Sequence, residues 1–146
     1  MRPGPIMERS TNNEVKRNAK RRIAIALLLI VGLSALAAGY GFIDDPSGRA
    51  LGMSTDYIRH SPFRSFLVPG IVLFTVNGLL AIIAATFTML RGWRYQDLIF
   101  LQGLVLNGWI AVQVVMVRDF NLLHGLCLLI GLLLMRFGRE LKAAAH

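Results

Sequence analysis

The stretch SFLVPGIVLFTVNGLLAIIAATFTML, Ser65–Leu90, runs for 26 residues without a charged side chain. A helix rises about 1.5 Å per residue, so about 20 apolar residues cross the roughly 30 Å hydrocarbon core of a bilayer. Three further charge-free runs, Ile23–Ile43, Leu98–Val117 and Phe120–Met135, hold 21, 20 and 16 residues. The last extends through Arg136 and Phe137, because an arginine at a helix end carries its guanidinium out to the headgroups. All 24 charged residues therefore fall in the other 63 of the 146 residues, which are 38% charged, whereas a soluble domain averages about 25% with the charges dispersed. The segregation predicts an all-α integral membrane protein, a four-transmembrane-helix bundle with spans at about 23–43, 65–90, 98–117 and 120–137. Residues 1–22 form a basic tail, 23–137 the membrane domain and 138–146 a C-terminal tail, with a short structured outer loop between the first two helices. A soluble enzyme of ordinary type and a soluble DNA-binding domain are excluded.

Orientation follows from the basic residues beside the spans. Seven precede the first span: Arg2, Arg9, Lys16, Arg17, Lys20, Arg21 and Arg22. Arg91 and Arg94 lie in the second connection, and Arg136, Arg139 and Lys142 close the chain. The opposite side has only Arg49, Arg59, Arg64 and Arg118, and acidic residues divide four and four. Both termini are thus expected in the cytoplasm, with the net charge of +8 wholly on that side. No nucleic-acid partner is expected, since neither aromatic nor Gly-rich segments accompany the tail's charges. Its partner is the lipid bilayer, through anionic headgroups that attract each basic residue by about 1 kcal/mol. Glu8–Asn18 reads as a mobile tail or a frayed extension of the first helix. Lys20-Arg21-Arg22 before an apolar run ending near Ala35-Leu36-Ala37 also resembles a cleaved signal sequence. The long basic region and the run's continuation to Ile43 favour an uncleaved span.

Within lipid, helices associate by close backbone approach and interhelical hydrogen bonds, so small residues mark interfaces. Such stripes occur at Gly32, Ala35 and Gly39, at Gly70, Asn77, Ala81 and Ala84, at Gly103, Asn107 and Ala111, and at Gly131 and Gly138. Asn77 and Asn107 each lie eleven residues from the outer end of their span, counted from Phe66 and Arg118. They are expected to bond each other or nearby backbone at the midplane, because an unpartnered amide there costs several kcal/mol. Gln113 and His124 form a second pair at equal depth on either side of the Arg118-Asp119 corner, which makes the last two helices an antiparallel hairpin. Gln102, Leu106, Trp109 and Gln113 share a face about 120–140° from the Asn107 stripe, at 100° per residue.

In the outer loop, Asp45-Pro46-Ser47-Gly48 carries the residue types of a type I turn. Ser54 or Thr55 is placed to cap a short helix through Arg59. Ser61-Pro62 reads as the N-cap and first position of the second span, which would put Pro69 inside that helix as a kink. These pieces carry a resemblance. Asp45-Pro46-Ser47-Gly48, Leu51-Gly52-Met53, Ser61-Pro62-Phe63 and Pro69-Gly70, followed by Asn107-Gly108-Trp109-Ile110, Gln113 and His124, resemble a family of uncharacterised small four-helix bacterial inner-membrane proteins. The resemblance covers roughly 39–131 and implies a bacterial inner-membrane protein, without assigning a biochemical activity. Where that family commonly carries an acidic residue, two positions after Ser-Pro-Phe, this chain has Ser65.

Most membrane chemistries lack their residues. Cys127 is the only cysteine, so thiol–disulfide exchange within one chain has no partner. Of three histidines, His60 lies in the outer loop, His146 ends the chain and only His124 is intramembrane. The spans contain no Asp or Glu for proton coupling. No catalytic residue, no cofactor and no metal are expected. The protein is therefore read as a non-enzymatic membrane component that self-associates, as a homo-oligomer, or binds a membrane protein partner through its small-residue faces and outer loop. The alternative is a small transporter or lipid-like-ligand binder using Asn77, Asn107, Gln113 and His124.

Overall fold

The computed structural model describes residues 2–145, so His146 lies outside it. Among those residues there is no strand, and four helices are each long and apolar enough to cross a membrane. They are α1 (Pro5–Asp44), α2 (Leu67–Met89), α3 (Tyr95–Val117) and α4 (Leu122–Ala144). Successive helices are antiparallel, and each packs on its neighbours in the ring α1–α2–α3–α4–α1.

The helices outrun the charge-free segments at the basic end. α1 is one helix of 40 residues, about 60 Å long, so Glu8–Asn18 is a helical extension continuous with the first apolar run. Pro5 sits in its first turn, where a missing N–H is harmless. α4 likewise continues through the C-terminal tail. Ion pairs tie these extensions together: Lys20 to Glu140 at 2.8 Å joins α1 to α4, and Lys142 to Asp97 at 2.9 Å joins α4 to α3.

Three buried layers hold the bundle. Ala24, Leu28, Ala84, Ala85, Ile99, Leu134 and Leu141 fill the basic end, and Val31, Ala81, Leu106 and Ile110 fill the middle. At the loop end Phe42, Ile58 and Phe66 cluster, with the Phe42 and Phe66 rings stacked at 4.7 Å. Close approach of backbones explains the small-residue stripes. A β-carbon at Gly39 would stand 2.7 Å from the Phe74 backbone nitrogen, and one at Gly103 2.5 Å from the Gly131 carbonyl oxygen. The glycines of these stripes are consumed inside the bundle, while Ala111 at the end of the third stripe is left exposed.

The second span departs from the sequence expectation twice. Ser61 does not start α2, because its hydroxyl donates to the Ile58 carbonyl at 2.6 Å and accepts from Phe63 N–H at 3.2 Å. The chain is then pinned by Phe66 N–H donating to the Pro46 carbonyl at 2.9 Å, so the helix begins only after Phe66. Pro69 consequently falls in the first turn, where no intrahelical N–H is required, and it has no ladder bond to break. The irregularity lies further on: Leu73–Leu79 is π-helical, with Leu80 N–H returning five residues to the Thr75 carbonyl. Within it the Thr75 hydroxyl donates back to the Ile71 carbonyl at 2.8 Å, a side-chain bond that bends helices.

Candidate functional site

The π-helical turn contains Asn77, the residue placed at the midplane from sequence. Asn77 is only 1% exposed, one turn before Ala81 of the middle layer. Neither its amide oxygen nor its nitrogen has a hydrogen-bond partner among the described residues. Asn107 does not meet it. The Gly103–Asn107 stripe faces α4, where the Asn107 amide packs over Gly131 and its nitrogen donates to Met135 Sδ at 3.5 Å. The expected bond between the two asparagines is therefore absent, because their stripes look at different neighbours.

The face of α3 that looks into the bundle is instead the one carrying Gln102, Leu106 and Ile110, all buried. Gln102 is fully buried between Ile99 and Leu106, and both polar atoms of its amide lack partners. It is the polar core residue that the sequence reading left out of its site. The signal was present, since Gln102 had been placed on one face with Leu106. Gln113, further along that helix, is only half-buried.

His124 is drawn out of the bundle by local chemistry. The chain unwinds over Arg118–Asn121, so α4 starts at Leu122 and His124 falls in its first turn. Asn121 Oδ1 accepts from His124 N–H at 3.2 Å, while His124 Nδ1 accepts from Asn121 N–H at 3.3 Å. The pair forms a capping box with histidine in the place usually held by glutamate. This geometry engages His124 with its own helix end and pairs it with nothing on Gln113.

At the loop end, Gly48 N–H donates to the Asp45 carbonyl at 3.0 Å, which closes the turn Asp45-Pro46-Ser47-Gly48. Gly48 has a φ of +78°, the left-handed region that favours glycine. The Ser47 hydroxyl donates to the Asp45 carboxylate at 2.6 Å and Ala50 N–H donates to its other oxygen at 2.9 Å. The Ser47 hydroxyl first, then the Ala50 amide, hold the Asp45 carboxyl below its ordinary range. Ser47 is thus committed to a turn, and His60 lies elsewhere, in an open cleft of about 500 Å³ with Ser54, Asp56, Arg59 and Arg118. No serine hydroxyl among the described residues at this end is hydrogen-bonded to His60. Among the described residues, no group of three or more His, Cys, Asp or Glu is placed to share a metal ion.

No family model, curated protein or solved structure matches the chain. What the site does chemically must be read from its own residues. The interior offers hydrogen-bonding amides, and the two ends offer charge.

Proposed function

We propose that this chain is a multi-pass protein of a bacterial inner membrane, with both termini cytoplasmic, that performs no covalent chemistry and acts as a binding or structural component. Its partners are a second copy or another membrane protein, together with anionic lipid at the cytoplasmic face. One observation carries the reading: the bundle is apolar on the outside. Ile30 and Leu33 of α1, Val76 and Ile83 of α2, Leu104 and Val112 of α3, and Leu126, Leu129 and Leu132 of α4 are all exposed. Large exposed apolar surface on every helix is the outer surface a bilayer requires and one that water penalises. The resemblance through Asp45–Gly48, Ser61–Phe63 and Pro69-Gly70 supports the bacterial assignment, and the distribution of Lys and Arg supports the orientation.

The glycines of the small-residue stripes are occupied within the bundle, so association with a partner falls to the lipid-facing surface and the loop end rather than to those glycines. A second reading, a small transporter or lipid-like-ligand binder, is favoured by the unpartnered amides of Asn77 and Gln102. Native mass spectrometry of the detergent-purified chain separates the two. A homo-oligomer or a stoichiometric complex is the expected result. A monomer carrying one bound small-molecule or lipid-like mass that disappears in Asn77→Leu would replace the first reading with the second.

A further inference from the structure

At the basic end, Arg17, Asn18 and Arg21 of α1 face Arg91 and Tyr95 across a cleft of about 180 Å³, equal to about six waters of liquid volume. Three guanidinium groups line it with no carboxylate among them. The four ion pairs formed by the described residues use Lys20, Arg94, Arg136 and Lys142, and all end on Asp97 or Glu140. None relieves the cleft. Arg21 Nη1 donates to the Thr88 carbonyl at 3.4 Å and Arg91 Nη2 to Asn18 Oδ1 at 3.3 Å. Arg21 Nε is buried and has no acceptor among the described residues, a cost that an anionic oxygen would remove.

Arg91 is held at this place against its own backbone preference. α2 ends with Gly92 N–H donating to the Phe87 carbonyl at 2.8 Å and Arg91 N–H to the Thr88 carbonyl at 3.4 Å. This is the Schellman pattern, whose left-handed position is ordinarily glycine. Here that position is Arg91, at φ +50°. Glycine follows immediately at 92 and is not used for it.

We propose that this cleft binds one phosphate group, that of an anionic lipid headgroup. The depth suits it: Arg21 and Arg17 precede the apolar run by two and six residues, about 3 and 9 Å along the helix, which spans a headgroup layer about 5–8 Å thick. Basic pockets between helices on the cytoplasmic side are suited to such headgroups. The inference rests on the membrane orientation proposed above, and it replaces diffuse attraction along the tail with a defined site.

The test is native mass spectrometry of the delipidated full chain in neutral detergent, with phosphatidylglycerol or phosphatidylcholine added at equal concentration. Phosphatidylglycerol should be retained about tenfold better, and Arg91→Gly should reduce that retention about fivefold. Because glycine suits the backbone at 91, the melting temperature of Arg91→Gly should hold or rise, which separates lost binding from lost folding. Arg9→Gln, outside the cleft, should retain the lipid as the parent does. Equal retention of the two lipids, or equal loss in Arg9→Gln and Arg91→Gly, overturns the site. Inorganic phosphate displacing phosphatidylglycerol supports recognition of the phosphate group. Stabilisation by inorganic phosphate without any lipid preference overturns the lipid source in favour of a soluble phosphate. An N-terminal tag on the same protein, probed by protease in intact spheroplasts, tests the orientation separately. A cut tag with lipid preference intact sinks the orientation alone, and a protected tag with no preference sinks the cleft alone.

Discussion

Gly103→Leu is expected to break the α3–α4 hairpin, lowering stability by about 3 kcal/mol through overpacking. The reason is that both obstacles are backbone. A β-carbon there would lie 2.5 Å from the Gly131 carbonyl oxygen and 2.8 Å from Met135 N, and neither atom can rotate away as a side chain does. Gly108 is the matching control on the same helix, since a β-carbon there meets nothing within 4 Å. Gly108→Leu should be neutral or stabilising, because leucine is the better helix former by nearly 1 kcal/mol. Thermal unfolding in detergent followed by circular dichroism reads both. Equal losses in the two variants would mean that the helices do not approach at Gly103.

The second large effect runs in the opposite direction. Gln102→Leu and Asn77→Leu should each raise stability by about 1–2 kcal/mol, because each replaces an unpartnered buried amide with an apolar side chain of similar size. Melting temperatures of the two variants and their double mutant provide the check. A fall in stability instead would show that the amides bond to something held within the bundle, and the ligand-binding reading would then displace the scaffold reading.

How far the sequence carried this account depended on which force set each feature. The four helices were legible because exclusion of charge from long apolar runs leaves no alternative in a chain of this composition. The Asp45-Pro46-Ser47-Gly48 segment was legible for a local reason: its turn bonds are made within six residues. The start of α2 was not, since it depends on a long-range bond from Phe66 N–H to the Pro46 carbonyl and on Phe66 stacking over Phe42. Depth along a span placed Asn77 and Asn107 at one level, but depth carries no rotation. The direction in which each amide points is set by which glycines admit which neighbour, Gly131 beneath Asn107 and the Gly39–Phe74 crossing beside the π-helical turn. His124 was placed near the outer end of its helix at the depth of Gln113 by counting from the Arg118-Asp119 corner; its bonds are to a neighbour, Asn121, in the capping box that follows that corner. The basic cleft was invisible for a related reason. Arg17 and Arg21 were read as tail, and the helical extension of α1 brings them opposite Arg91.

The central claim is a four-span bundle with both ends on the cytoplasmic side, and protease protection of tagged chains in spheroplasts tests it most directly. Separate tags are placed at the N-terminus, at the C-terminus, and in the loop at Gly52, which is exposed and has open space around it. The bundle reading predicts that only the loop tag is cut in intact spheroplasts and that all three are cut after the membrane is permeabilised. Cleavage of either terminal tag from outside, or recovery of the chain in the soluble fraction, would contradict it.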